Sequence, residues 1–215
     1  MNGNNRAPGR NGGSRSSIRV FFLESLRSFT VTASLFPSSR FLASAMLRPI
    51  DFRAAAVIVE LGAGTGAFTI EMLRRMAPHA RLYALEINPT FIEHVRHRIR
   101  DPRFVPILAR AEDLGQVLLE RGVERGDAIV SSLGLTSMDE QQRCAIVGQA
   151  TASLAPGGVL TQFQYLHAAG EPNWFSAFGL PRFSEEEFLR GYFRQVRSEK
   201  VLWNLPPATV FACRP

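Results

Sequence analysis

Residues Glu60-Leu61-Gly62-Ala63-Gly64-Thr65-Gly66 close an apolar run and lead into a helical pattern, and their types suit a ligand turn. Glycines at 62, 64 and 66 let the backbone turn with positive φ and approach a bound molecule, while a following helix start offers free amide donors. One carboxylate, Glu60, precedes the glycines. A second, Glu86, ends the next apolar run, where an acidic side chain can accept hydrogen bonds from both hydroxyls of a ribose. The spacing alone also fits a dinucleotide site, so these residues by themselves point to a nucleoside-bearing ligand and no further.

Groups so far apart in sequence need a scaffold to converge. Apolar runs predict strands at 56–61, 81–86, 103–108, 127–131 and 158–165, with helices at 66–76 and 89–98, the latter capped by Asn88. Ser137 and Glu140 read as a capping box for a helix before the fifth strand. Ser184 and Glu187 offer a second box before a helix at 188–192, with Glu185, Glu186 and Glu187 as its charged start. Two late strands are expected near 195–203 and 208–213. Alternating strands and helices are the rhythm of a parallel sheet, which makes the expected fold class α/β.

Composition narrows the setting. The chain has 215 residues, 46% of them hydrophobic and 20% charged, enough for one domain with a sizeable core. No apolar run reaches the length of a membrane span, and the run at 18–23 is followed at once by Glu24, so neither a transmembrane helix nor a signal peptide is expected. Cys144 and Cys213 read as small unbridged residues, and the four histidines show no metal-ligand spacing. The net charge of +6 sits entirely in residues 1–50, where seven arginines face Glu24 alone. An anionic partner approached from that end follows, either a phospholipid surface or a nucleic acid. Residues 1–17, rich in Gly, Asn, Ser and Arg, read as a disordered basic tail. Ile18, Phe22, Leu26, Phe29, Ala33 and Phe36 recur at helical spacing, and Phe41, Leu42, Ala45 and Met46 suggest a second short helix before Pro49. Residues 18–50 thus form a helical preface to a domain at 51–215.

With the glycine motif and Glu86 in place, residues 55–165 resemble the class I S-adenosylmethionine-dependent methyltransferases. A narrower likeness covers nearly everything after residue 17. Leu35-Phe36-Pro37-Ser38-Ser39-Arg40-Phe41-Leu42-Ala43, the glycine motif, Gln162-Phe163-Gln164-Tyr165 and Asn204-Leu205-Pro206-Pro207-Ala208 are similar to the bacterial phospholipid N-methyltransferases, which methylate phosphatidylethanolamine toward phosphatidylcholine. The resemblance implies a Rossmann-like fold, a mostly parallel seven-stranded sheet with helices on both faces. It implies S-adenosylmethionine as cofactor, held by Glu60, Gly62, Gly64, Thr65, Gly66, Glu86, Ile87, Ala111, Glu112 and Ser131. Ala63 stands where the family often has proline, and Ala109-Arg110-Ala111-Glu112-Asp113 stands where it commonly has Gly-Asp-Ala, so either Glu112 or Asp113 is the substitute acceptor for the adenine amine, or backbone groups and apolar contact alone hold the base.

For the methyl acceptor, the resemblance implies a seat at Ser131–Gly134, bordered by Tyr165, with Arg40 on the lipid phosphate. The Asn/Asp-Pro-Pro-aromatic segment that adenine methylases place after the fourth strand is absent, where this chain reads Ser131-Ser132-Leu133-Gly134. The expected reaction is therefore N-methylation of phosphatidylethanolamine and its methylated forms, on the inner face of the cytoplasmic membrane, with residues 1–36 attracting anionic lipid. An RNA methyltransferase of the adenine dimethylase type is the alternative. The charge-neutral body beyond residue 50 argues against it and against a nucleic-acid partner.

Overall fold

A computed structural model describes residues 38–166 and 183–215. The basic tail and the amphipathic run expected before residue 37 lie outside the described residues. The described chain opens with helix α1 (Ser38–Leu47), then alternates β1 (Val57–Leu61), α2 (Ala67–Arg75), β2 (Arg81–Glu86), α3 (Pro89–Arg98) and β3 (Phe104–Leu108). It continues through α4 (Leu114–Leu119), β4 (Gly126–Ser131), α5 (Glu140–Ala152) and β5 (Leu154–Tyr165), and ends with α6 (Glu185–Arg190), β6 (Gln195–Val201) and β7 (Ala208–Arg214).

The seven strands form one sheet in the order β3-β2-β1-β4-β5-β7-β6. Strands β1 to β5 run parallel, and β7 pairs antiparallel with both β5 and β6. This is the mostly parallel, seven-stranded α/β sheet that the motif implied. Parallel strands covered on both faces read as continuous apolar runs, which is why β1 (Val-Ile-Val-Glu-Leu) is almost wholly buried. One core cluster, with Leu42, Met46, Met72 and Ile92, lies under α1, α2 and α3, and the other, with Leu114, Val117, Ile146 and Leu189, lies under α4, α5 and α6. Among the described residues no helix is long and apolar enough to cross a membrane.

Local signals explain most element boundaries. Asn88 caps α3 by accepting a hydrogen bond from Thr90 N at 2.9 Å, with Pro89 at the first helical position. Ser184 caps α6 through Glu187 N at 3.3 Å, as its capping box predicts, although the helix starts three residues before the expected 188. The other box is corrected. Asp139 caps α5 by accepting from Gln142 N, while the Ser137 hydroxyl donates to Gly134 O within a 3-10 turn. A carboxylate nearer the helix start supplies a stronger acceptor than the hydroxyl, and the backbone of Ser137 is already spent in the preceding turn. Helix α4 was not expected, its six residues being too short for a clear period.

Candidate active site

Strand order reverses between β1 and β4, and in open α/β sheets the crevice outside the carboxyl ends of the strands at such a point is where ligands bind. The glycine turn follows β1 and the segment 131–134 follows β4, so the fold brings together two stretches about seventy residues apart. The Ser132 hydroxyl joins them by donating to Gly62 O at 2.7 Å, and Ser132 N donates to Leu61 O at 3.0 Å. Gly62, Gly64 and Gly66 have φ of 84°, 52° and 85°, the left-handed region that L side chains disfavour. A Cβ on Gly62 would meet Ser132 Oγ at 2.9 Å and Leu133 Cδ2 at 3.0 Å, so only a hydrogen fits between the two loops.

Both carboxylates are buried beside this turn. Glu86 accepts from Gly64 N and from Asn88 N, each at 2.9 Å, and so fixes the glycine turn against the end of β2. A carboxylate has room for about four hydrogen bonds, which leaves Glu86 capacity for further donors. Glu60, 1% exposed, accepts from the Thr69 hydroxyl at 2.6 Å through Oε2. Its Oε1 has no protein partner among the described residues. Burial pushes the Glu60 carboxyl up to about 8, helped by the nearby Glu86 charge and opposed by the Thr69 hydrogen bond. Glu60 therefore keeps one buried oxygen open to a donor at the edge of the glycine turn. Thr69 escaped the sequence reading, where a hydroxyl nine residues past the acidic residue was the available signal; Ser132 was read as part of the acceptor seat, and the structure adds its hydrogen bond to the glycine turn.

Around the glycine turn the remaining expected residues divide. Ile87 is 54% exposed directly after β2, an apolar surface that stays uncovered next to Glu86. Ala111 and Glu112 start the 3-10 turn after β3, and the Glu112 carboxylate is engaged by the Arg110 guanidinium. Thr65 sits in the glycine turn, where its carbonyl accepts from Arg98 at 3.3 Å. Ser131 is buried at the end of β4 with its hydroxyl oxygen 3.5 Å from Leu133 N.

On the acceptor side, Tyr165 ends β5, half-buried and edge-on to Phe163 with ring centroids 5.2 Å apart. Burial pushes its phenol up to about 12, so it is a neutral hydroxyl at physiological pH. Gln162, also buried on β5, donates through Nε2 to Leu133 O at 2.8 Å and so holds the loop after β4. Arg40 lies in the first turn of α1 and is exposed.

Behind this loop lies a correction to the charged helix start. Glu186 and Glu187 face outward, but Glu185 is buried, and burial pushes its carboxyl up to about 8 against the pull of a Gln162 hydrogen bond and the Arg143 charge. Glu60 and Glu185 both bind a proton more tightly folded than unfolded, so their contribution to stability is complete below about pH 4.5 and is lost as pH rises through about 8. Wild-type protein should therefore melt several degrees lower at pH 9 than at pH 6, since each kcal/mol is worth about 2–4 °C in a domain of this size. Glu185→Gln should reduce that difference in thermal denaturation; an unchanged difference would remove Glu185 as one of its sources.

Comparison with known proteins agrees with this geometry. Residues 58–158 match the family described as "Methyltransferase domain". The chain is 33% identical over 186 residues to the "Ornithine lipid N-methyltransferase" of Singulisphaera acidiphila, covering 86% of this chain and 89% of that protein. A shorter likeness, 35% over 94 residues, joins it to "Ribosomal RNA small subunit methyltransferase H" of Bifidobacterium longum subsp. infantis, but covers 41% of this chain and 26% of that protein. Among solved structures, a Burkholderia thailandensis 1,6-didemethyltoxoflavin-N1-methyltransferase with bound S-adenosylhomocysteine superimposes with a TM-score of 0.65 at 19% identity, over 97% of this chain and 92% of that one. That likeness carries the fold. The near full-length identity carries more, and with the glycine turn and paired carboxylates at the switch point it places the chain among the bacterial lipid N-methyltransferases of the class I S-adenosylmethionine-dependent family.

Proposed function

We propose that this protein transfers methyl groups from S-adenosylmethionine to the primary amine of phosphatidylethanolamine, and to its monomethyl and dimethyl forms, at the inner surface of the cytoplasmic membrane. The observation that carries the reading is the buried carboxylate pair at the glycine turn, in a chain with near full-length similarity to a lipid N-methyltransferase. Bound there, the cofactor supplies an electrophilic methyl group. Glu60 offers its orphaned oxygen to the amino-acid end, Glu86 receives the ribose hydroxyls, and Ile87 lies against the adenine. Glu112, paired with Arg110 through one oxygen, or the exposed Asp113 beside it would accept the adenine amine, with backbone groups at Ala111 and apolar contact holding the ring.

Small residues at Ser131–Gly134 and the ring of Tyr165 form a seat where an alkyl amine sheds water and aligns for in-line displacement. Tyr165 does not take the amine proton, because its own phenol stays protonated, so its part is to border and orient the headgroup. Arg40, exposed in the first turn of α1, receives the lipid phosphate. Residues 1–36, with their excess of arginine, hold the enzyme to anionic lipid.

Similarity to the Singulisphaera protein favours a second amine, that of an ornithine lipid. The two substrates differ in the phosphate, which supplies the discriminating experiment. With radiolabelled cofactor and vesicles, the wild type should label phosphatidylethanolamine, and Arg40→Ala should cut that rate about tenfold, the worth of roughly one charge-assisted hydrogen bond. Faster labelling of ornithine lipid than of phosphatidylethanolamine would establish the second reading. Tyr165→Phe should slow either reaction without changing cofactor affinity; wild-type turnover would remove it from the seat.

A further inference from the structure

Three of the seven large hydrophobic residues exposed among the described ones fall within four positions: Leu202 (63%), Trp203 (81%) and Leu205 (66%). They occupy the turn between β6 and β7, inside an uncharged run from Val201 to Ala208. The turn is held in shape. Asn204 is buried and donates through Nδ2 to Pro206 O at 2.6 Å, its own N–H reaches Val201 O at 3.4 Å, and Val201 pairs with Ala208 across the base. Its side chains are therefore presented outward by a fixed backbone.

The placement of the turn gives it meaning. Ala208 is the register partner of Tyr165, and Leu166 N donates to Pro207 O at 2.8 Å, so the apolar tip stands at the mouth of the acceptor seat. The stem is basic: Arg197 and Lys200 are exposed along β6, against Glu199 alone, which is engaged by Arg48. An apolar tip containing tryptophan on a cationic stem is complementary to an anionic bilayer surface, where the indole rests at headgroup level and the basic groups meet phosphates.

We infer that the β6–β7 turn is a membrane-inserting finger, with Leu202, Trp203 and Leu205 entering the headgroup and acyl boundary so that the lipid amine is delivered beside Tyr165. This rests on the lipid-methylating reading, but its test is independent of turnover. The chain contains two tryptophans, Trp174 and Trp203, so Trp174→Phe in the full-length protein leaves Trp203 as the sole indole reporter. On addition of phosphatidylethanolamine–phosphatidylglycerol vesicles, its emission should shift to the blue and be quenched by more than half by lipids brominated near the headgroup end of the chain. Combining Leu202→Ser, Trp203→Ser and Leu205→Ser should lower vesicle binding and methylation of vesicle lipid at least tenfold, with cofactor affinity unchanged. Emission that stays at its aqueous position beside vesicles would overturn the inference. So would emission already blue in buffer and indifferent to lipid, which would mean that the N-terminal segment or a second copy covers the turn. Quenching without any lipid methylation would leave the finger standing and remove the proposed reaction; lipid methylation without quenching would do the reverse.

Discussion

Gly64→Val should weaken S-adenosylmethionine binding by roughly 100-fold while leaving the helical and sheet content of the protein intact. At φ 52° a β-branched residue is forced into left-handed backbone, which costs about 1–3 kcal/mol. The turn can relax to escape that strain only by withdrawing Gly64 N from Glu86 Oε2, which costs about 1.5–3 kcal/mol for a hydrogen bond to a charged group. Either cost, at its upper end, reaches the roughly 3 kcal/mol that a hundredfold loss requires. Calorimetric titration with circular dichroism checks both halves of the statement. Unchanged affinity in a folded variant would place the cofactor elsewhere.

Cofactor affinity should also depend steeply on pH, through Glu60. In the free protein this carboxyl is held up to about 8 by burial, so it is protonated at pH 6–7. Pairing its orphaned Oε1 with a cationic amino group favours the ionised form, and the proton must leave. Close to one proton per cofactor should be released at pH 6.5, seen as a dependence of the binding heat on the ionisation enthalpy of the buffer. The dissociation constant should fall about tenfold between pH 6 and pH 7, since a single-proton linkage gives one decade per pH unit. Glu60→Gln should abolish the proton release. Release that persists in that variant would assign it to another group.

Much of this site can be read from sequence because its parts are backbone features. Glycines at 62, 64 and 66 announce left-handed turns, and apolar runs ending in Glu60 and Glu86 announce strands whose carboxyl ends hold charge. The order of the central strands follows from the fold that the motif implies. What could not be read depends on tertiary contact. Nothing in the run Glu185-Glu186-Glu187 says that the first carboxyl turns inward toward Gln162 and Arg143 while its neighbours face water. Asp139 displaced Ser137 as a cap because Ser137 closes a 3-10 turn that begins at Leu135, a choice between two adequate acceptors that spacing alone does not make. Likewise Leu202, Trp203 and Leu205 resemble core residues on paper, and only the pairing of Val201 with Ala208 turns them outward.

The central claim is that the methyl group goes to a lipid amine. It is tested most directly by incubating the full-length protein with methyl-labelled S-adenosylmethionine and, in parallel, with phosphatidylethanolamine vesicles, ornithine-lipid vesicles and ribosomal RNA, then identifying the labelled product by mass spectrometry. Label is expected on the headgroup nitrogen of phosphatidylethanolamine, appearing as monomethyl and dimethyl forms and lost in Gly64→Val. Label confined to RNA, with both lipids unmodified, would contradict it.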